Sequence, residues 1–264
     1  KVITEQKIDL VISDNRYGLW CNRVPCIFIT HQLFIKTGAA FSERVAQRIN
    51  YRYINKFSVC WVPDAAGAHN LAGKLSHPDK LPDVPVKYIG ALSRFKKKDA
   101  IKNIDLLVLL SGPEPQRTAL EDLLLPQMDH SMGKIVLARG LPRGGNKLPP
   151  QNENITLYDH LPAAELNDLM AAAKLVICRS GYSTIMDLAA LQQKAILIAT
   201  PGQSEQIYLS RYLSEQNYCI IAEQSRFVLK DLLNEFSQKT LAPFPASSEI
   251  ELPFAIQFML QQIR

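Results

Sequence analysis

Paired cysteines, long apolar runs and clustered basic charge are all missing from this chain of 264 residues. Its five cysteines (Cys21, Cys26, Cys60, Cys178, Cys219) make no CxxC pair, and several stand in strand-like runs. That pattern argues against a disulfide frame or a zinc site and predicts reduced, buried thiols in a cytoplasmic protein. No apolar stretch approaches the roughly 18 residues that a bilayer-crossing helix needs. The formal charge of +5 is spread along the chain, and its densest run, Lys96-Lys97-Lys98, reads as a solvated linker face. The aromatics do not interleave with basic residues as a base-stacking groove requires, so nucleic acid is not an expected partner. A nucleotide diphosphate or an acidic membrane surface stays compatible with the charge. There is no Asp-x-Asp triplet, no internal repeat and no low-complexity segment. Neither a metal site nor a bound cofactor is expected.

What is present is an apolar content of 47%, enough for one large or two ordinary domains. The stretch Lys174 to Gln206 organises the rest. Leu175-Val176-Ile177-Cys178 is a short apolar run, the mark of a strand covered on both faces. Arg179-Ser180-Gly181-Tyr182-Ser183-Thr184 follows, with small hydroxyl residues where a helix should begin and Gly181 free to adopt unusual backbone angles. Ile185, Leu188 and Ala189, then Ala195 to Ala199, complete a βαβ unit whose loops gather at the carboxyl edge of the strands. A helix starting near Ser183 would turn its free N–H groups to that edge, where a diphosphate can sit. Thr184 and Asp187, three apart, would share a helix face. The same residues also suit a plain helix cap with a first-turn acid. Spacing alone leaves both readings open.

Upstream, Ile8 to Ser13, Val24 to Thr30, Phe57 to Val62 and Val86 to Gly90 read as strands. Phe41 to Lys56 reads as a helix with apolar residues at 41, 45, 49, 53 and 54 and a neighbouring stripe of Arg44, Arg48 and Arg52. That stripe fits a solvated face or contact with anionic headgroups. Downstream, strand-like segments begin at Ile104, Lys134, Asn154, Leu175, Ala195 and Tyr218 and alternate with helices. The economical architecture is α/β with a parallel, doubly wound sheet in the second half.

Arg179-Ser180-Gly181, Thr184, Asp187, the strand Ala195 to Ala199 and Gln203-Ser204-Glu205-Gln206 together resemble the donor-binding half of GT-B glycosyltransferases of the family-28 C-terminal type. The resemblance implies two Rossmann-like domains. Residues 1–90 would be a partial, acceptor-side N-terminal domain, 91–103 a linker, 104–250 a nucleotide-sugar-binding domain and 251–264 a terminal helix returning to the first domain. The Gly-rich loop that opens the family's N-terminal domain is not found, so the chain is expected to lack the start of that domain.

The resemblance also implies a function: transfer of a sugar from a nucleotide-sugar, a UDP-sugar by analogy, to an acceptor hydroxyl, with inversion and without a metal. Asp187 would hold the ribose and Ser180, Gly181, Tyr182, Ser183 and Thr184 the diphosphate, with Arg179 a further donor-binding residue. Gln203, Glu205 and Gln206 would hold the sugar, and Tyr158, His160 and Leu161 the base. Ser111 and Gly112 are what remains of a glycine-rich phosphate loop in which two prolines replace N–H donors, and Arg117 would face the phosphates or the cleft beside them. His31, in Thr30-His31-Gln32, occupies the position of a His-Glu-Gln-Asn motif and would act as base toward the acceptor. A glycan or lipid-linked acceptor and a peripheral contact with the inner face of the membrane complete the expectation. Two other readings stand beside it: a sugar-nucleotide epimerase or hydrolase of the same fold, and a non-catalytic subunit whose eroded Ser111-Gly112 loop abolishes turnover.

Overall fold

The computed structural model describes residues 2–144, 153–245 and 251–263. The long loop expected over residues 141–154 falls outside the described residues from 145 to 152. The chain divides into two compact units, Lys1–Leu92 with Pro245–Arg264, and Ser93–Phe244.

In the first unit the elements are α1 (Val2–Glu5), β1 (Val11–Asp14), β2 (Cys26–Ile29), α2 (Ala40–Ile54), β3 (Val59–Val62) and β4 (Val86–Tyr88). The four strands form one parallel sheet in the order β1-β2-β3-β4. Side chains alternate across a strand, and the short runs of β2 and β3 therefore supply two cores. Cys26, Phe28, Cys60 and Val62 pack with Ile54 and Phe57. Ile27, Val59 and Trp61 pack with Ile89 and with Ala255 and Met259 of the last helix, which is α8 in chain order (Glu251–Ile263). The loop after β3 is organised by Asp64, whose buried carboxylate accepts from the N–H groups of Ala65, Leu71 and Ala72 and from the Ser76 hydroxyl, at 2.6–3.0 Å. Only Asn50 and Ile54 of α2 are buried, so its apolar stripe Phe41, Val45, Ile49 and Tyr53 faces outward beside the equally exposed Arg44, Arg48 and Arg52.

The second unit runs β5 (Ile104–Leu109), α3 (Gln116–Leu124), β6 (Ile135–Ala138), β7 (Ile155–Tyr158), α4 (Ala163–Ala172), β8 (Ala173–Arg179), α5 (Tyr182–Leu191), β9 (Ala195–Ile198), α6 (Ser204–Glu215), β10 (Ile220–Ala222) and α7 (Leu229–Gln238). All six strands are parallel, in the order β10-β9-β8-β5-β6-β7. Leu106, Val108, Ile135, Leu175, Ile177 and Ile196 meet Leu120 and Leu124 of α3 and Leu229 and Leu232 of α7 on one face. The alternate residues Leu107, Val136, Val176, Cys178 and Leu197 are buried as well, which is why these strands read as continuous apolar runs. The chain leaves β5 toward β6 and β7, then crosses back to β8, β9 and β10. The order reverses between β5 and β8, and the crevice at the carboxyl ends of such a strand pair is the usual ligand site of open α/β sheets.

The five cysteines are free thiols. Burial pushes Cys60 and Cys219 up to about 12 and raises Cys178 also.

Candidate functional site

Four groups of expected site residues follow the carboxyl ends of four strands of the second sheet. Ser111 and Gly112 come after β5, Tyr158 to Leu161 end and follow β7, Ser180 to Thr184 follow β8, and Gln203 to Gln206 follow β9. Because β9, β8 and β5 are neighbours, three of these groups share one edge at the reversal point. The fourth is separated from β5 by β6.

At the centre, α5 begins directly after Gly181, and no side chain caps its N-terminus. The cap position falls on Gly181, which has no side chain, so none of the hydroxyl residues of Ser-Gly-Tyr-Ser-Thr takes it. Gly181 is extended (φ −70°, ψ 139°). Its freedom to adopt unusual backbone angles is not used, and a Cβ there would meet nothing within 4 Å. What the glycine leaves is open space against the backbone. Ser183 is exposed and Thr184 half-buried, whereas Tyr182 is buried in the core.

Asp187, in the second turn of α5, is half-buried and accepts a 2.5 Å hydrogen bond from the Ser93 hydroxyl. Burial raises its carboxyl above the ordinary aspartate value; the Ser93 hydrogen bond and the charge of Arg94 oppose the rise without cancelling it. From sequence Ser93 and Arg94 are only linker, because nothing local ties them to a residue more than 90 positions away.

Two motif residues are occupied by main chain. Arg179 is only 2% exposed, and its guanidinium donates to the carbonyls of Gln116 (2.8 Å), Ala199 (3.1 Å) and Ile198 (3.5 Å). It braces the end of β8 to the start of α3 and the end of β9. Burial without a carboxylate partner pulls its pKa down to about 10. Ser180 is fully buried and donates its hydroxyl to the Gln206 carbonyl, 2.9 Å away. Arg117 likewise does not reach an exposed phosphate position. It is buried in a chain of ion pairs: Arg117 binds Glu114 and Glu121, and Glu121 also binds Arg139, which binds Asp159. The desolvated pairs account for its position, since a buried guanidinium needs carboxylates.

Gln206 holds the loop after β9. Its side-chain oxygen accepts from the Thr200 N–H (2.9 Å) and its amide donates to Gln203 Oε1 (2.5 Å). Glu205, in the first turn of α6, is half-buried. Ser111 and Gly112 are exposed, with Gly112 at φ +105°, a conformation that favours glycine. Tyr158 and His160 are exposed, Leu161 is buried in the core. In the first unit, His31 is half-buried just past β2, where Thr30 accepts from the Gln32 N–H (3.0 Å). Among the described residues no group of three or more His, Cys, Asp or Glu is placed to hold a metal ion.

This fold, two α/β units each built on a parallel sheet, is that of the GT-B glycosyltransferases. MurG from Acinetobacter baumannii matches over 89% of this chain and 66% of its own, with a TM-score of 0.53 at 14% identity. Residues 127–257 match the model of the glycosyltransferase family 28 C-terminal domain. The UDP-N-acetylglucosamine–N-acetylmuramyl-(pentapeptide) pyrophosphoryl-undecaprenol N-acetylglucosamine transferase of Haemophilus ducreyi is 30% identical over 146 residues, covering 53% of this chain and 41% of the relative. The enzyme of the same name from Clostridium tetani is 22% identical over 252 residues, covering 90% of this chain and 66% of its own length. The chain thus spans about two-fifths to two-thirds of these relatives.

Proposed function

We propose that this chain transfers a sugar from a nucleotide-sugar, a UDP-sugar as in the relatives' names, to an acceptor hydroxyl. The observation that carries the reading is the N-terminus of α5 at the β5–β8 reversal, entered through Gly181, with open space over that glycine and Asp187 one turn further on. Backbone N–H groups fixed at a helix start stabilise the negative charge that grows on a departing diphosphate, and do so without reorganising. Asp187 is the ribose acceptor group and Gln203, Glu205 and Gln206 the sugar-contacting set, since amides and a carboxylate match hydroxyls with little net charge. Donor stabilisation by N–H groups requires no metal, and direct attack by the acceptor inverts the anomeric carbon. His31, on the first unit, is assigned the base that takes the acceptor proton.

A lipid-linked acceptor accords with the names of the relatives. It also accords with α2, whose exposed face pairs Phe41, Val45, Ile49 and Tyr53 with Arg44, Arg48 and Arg52. An apolar stripe beside a cationic one suits the surface of an anionic bilayer, on which the helix lies flat. No described helix is long and apolar enough to cross a membrane.

Thermal unfolding with UDP, dTDP, GDP and ADP tests the donor site. At ligand near 100 times its dissociation constant the stabilisation is about 2.7 kcal/mol, a shift of several degrees. A shift with one nucleotide that is lost in Asp187→Ala supports the site and names the base. Absence of a shift with all four refutes it.

A further inference from the structure

Asp64 and Asp187 differ in how their carboxylate oxygens are used. A carboxylate offers about four acceptor sites, and those of Asp64 are all taken. Its Oδ1 accepts from the N–H groups of Ala65 and Leu71, and its Oδ2 from the Ala72 N–H and the Ser76 hydroxyl. Such a carboxylate organises a loop and has no place for another donor. Asp187 is filled on one side only. Its Oδ1 accepts from the Ser93 hydroxyl at 2.5 Å, and among the described residues nothing donates to Oδ2. Oδ2 is not sealed in: the buried, unpaired polar atoms among the described residues lie on other side chains, so it keeps accessible surface.

The Ser93 hydroxyl is itself held in one sense. It accepts from the Phe95 N–H (3.0 Å), which leaves its own proton for Asp187. The segment around it does not depend on that bond for its anchorage. Phe95 is buried, the Lys96 N–H donates to Asn167 Oδ1 (2.9 Å), and Asn167 Nδ2 donates back to the Lys96 carbonyl (3.2 Å). Asn167 is buried in α4, so this stretch is fixed to the scaffold without any help from Asp187. A hydroxyl fixed in this way sets the rotation of the carboxylate. With Oδ1 tied, Oδ2 is the oxygen that Asp187 offers to a ligand. Burial opposes the ionised form of this carboxyl, and the Ser93 hydrogen bond favours that acceptor-only form.

We propose that Ser93 is a positioning residue for the nucleotide ribose: it ties Oδ1 of Asp187 so that Oδ2 accepts from a ribose hydroxyl. It thereby makes the site select ribonucleotides over nucleotides that lack those hydroxyls. The inference rests on the assignment of Asp187 to the ribose. Ser93 itself does not touch the ligand. Its part is to remove rotational freedom from the carboxylate before the ligand arrives, as a supporting shell does for a binding group. Its loss therefore reduces what the ribose hydroxyls contribute and leaves contacts to the diphosphate and base as they are.

Calorimetric titration of the whole chain with UDP and with 2′,3′-dideoxy-UDP, which lacks both ribose hydroxyls, tests it. Wild type should prefer UDP by about 10–100-fold, the span expected of a hydrogen bond to a charged group. Asp187→Ala should remove that preference. Ser93→Ala should cut it to under about 5-fold while the dideoxy nucleotide binds as before. Ser93→Thr keeps the hydroxyl and should restore the preference, whereas Ser93→Val, of the same shape without the hydroxyl, should not. That pair decides the matter if Ser93→Ala does not fold by circular dichroism. The inference is overturned, with the ribose assignment intact, if Ser93→Ala or Ser93→Val keeps the wild-type preference while Asp187→Ala loses it. Equal weakening of both nucleotides in the Ser93 variants overturns it too, since a merely structural bond would act in that way. A wild type without preference, or a preference that survives Asp187→Ala, removes the ribose assignment and the inference with it. Failure of UDP to bind at all removes the donor site as a whole.

Discussion

Replacing Arg179 by methionine separates a structural brace from a ligand contact. Two of its hydrogen bonds, to Gln116 and Ala199, have good distances, while the third, to Ile198, is at the 3.5 Å limit. A hydrogen bond to a charged group contributes about 1.5–3 kcal/mol, so the two sound ones amount to about 3–6 kcal/mol. Against this, the guanidinium is buried with a pKa drawn from 12.5 to about 10. At 1.36 kcal/mol per unit, an uncharged side chain recovers about 3 kcal/mol of that burial cost. The balance is a loss of about 0–3 kcal/mol for Arg179→Met, centred near 1.5 kcal/mol, or up to about 10 °C in Tm for a unit of this size. Urea unfolding monitored by circular dichroism measures it, with UDP affinity measured alongside. The loops after β8 and β9 lose their common tie in the variant, so a drop in affinity should accompany the drop in stability. If affinity collapsed while stability stayed at the wild-type value, Arg179 would be touching the ligand and the brace assignment would be wrong.

Asp187→Asn should gain stability relative to wild type as pH rises from 4 to 7. The folded-state pKa of Asp187 is raised by burial, so its favourable contribution exists below the unfolded value near 4 and is lost as pH rises through the folded one. Urea midpoints across that window decide it, and a variant that grows relatively weaker with pH contradicts the assignment. Glu121→Leu removes the carboxylate shared by two buried guanidinium groups, leaving Arg117 to Glu114 and Arg139 to Asp159, and should cost about 3–5 kcal/mol in the same assay; a loss under 1 kcal/mol contradicts the chain of pairs. Charge reversal of Arg44, Arg48 and Arg52 to Glu should abolish sedimentation with anionic vesicles while leaving Tm within ~2 °C, since all three are exposed. Equal sedimentation of wild type with zwitterionic vesicles counts against an electrostatic contact.

The order of elements in the second unit was legible because its strands are buried on both faces and announce themselves as apolar runs. That the loops after β8 and β9 share one edge could be read from the βαβ pattern around Arg179-Ser180-Gly181, whereas the reversal between β5 and β8 appears only in the strand order. Orientation was harder. An arginine in a ligand-binding motif and one buried against carbonyls have the same sequence, and only the close approach of β9 and α3 distinguishes them. Ala171-Ala172-Ala173 gave no sign that α4 passes into β8 without a loop, because alanine suits a helix better than a strand. The apolar stripe of α2 has the period of a core-facing helix, yet Asn50 and Ile54 are the residues turned inward. Ser93 was out of reach for a different reason: its partner Asp187 lies on another element, and no local spacing encodes such a pair.

The strand order has a consequence for how the second unit forms during synthesis. The central strand β5 pairs on one side with β6 and on the other with β8, and about 70 residues separate Leu106 from its partner Leu175. At roughly 5–20 residues per second, β5 emerges from the ribosome several seconds before β8 exists to cover it. In that interval β5, β6 and β7 can assemble, but the flank of β5 that will meet Leu175, Val176 and Ile177 stays an unpaired apolar edge. Such an edge recruits other strands. A nascent chain stalled before residue 173 should therefore be far more prone to self-association, and to capture by chaperones, than one released past residue 200.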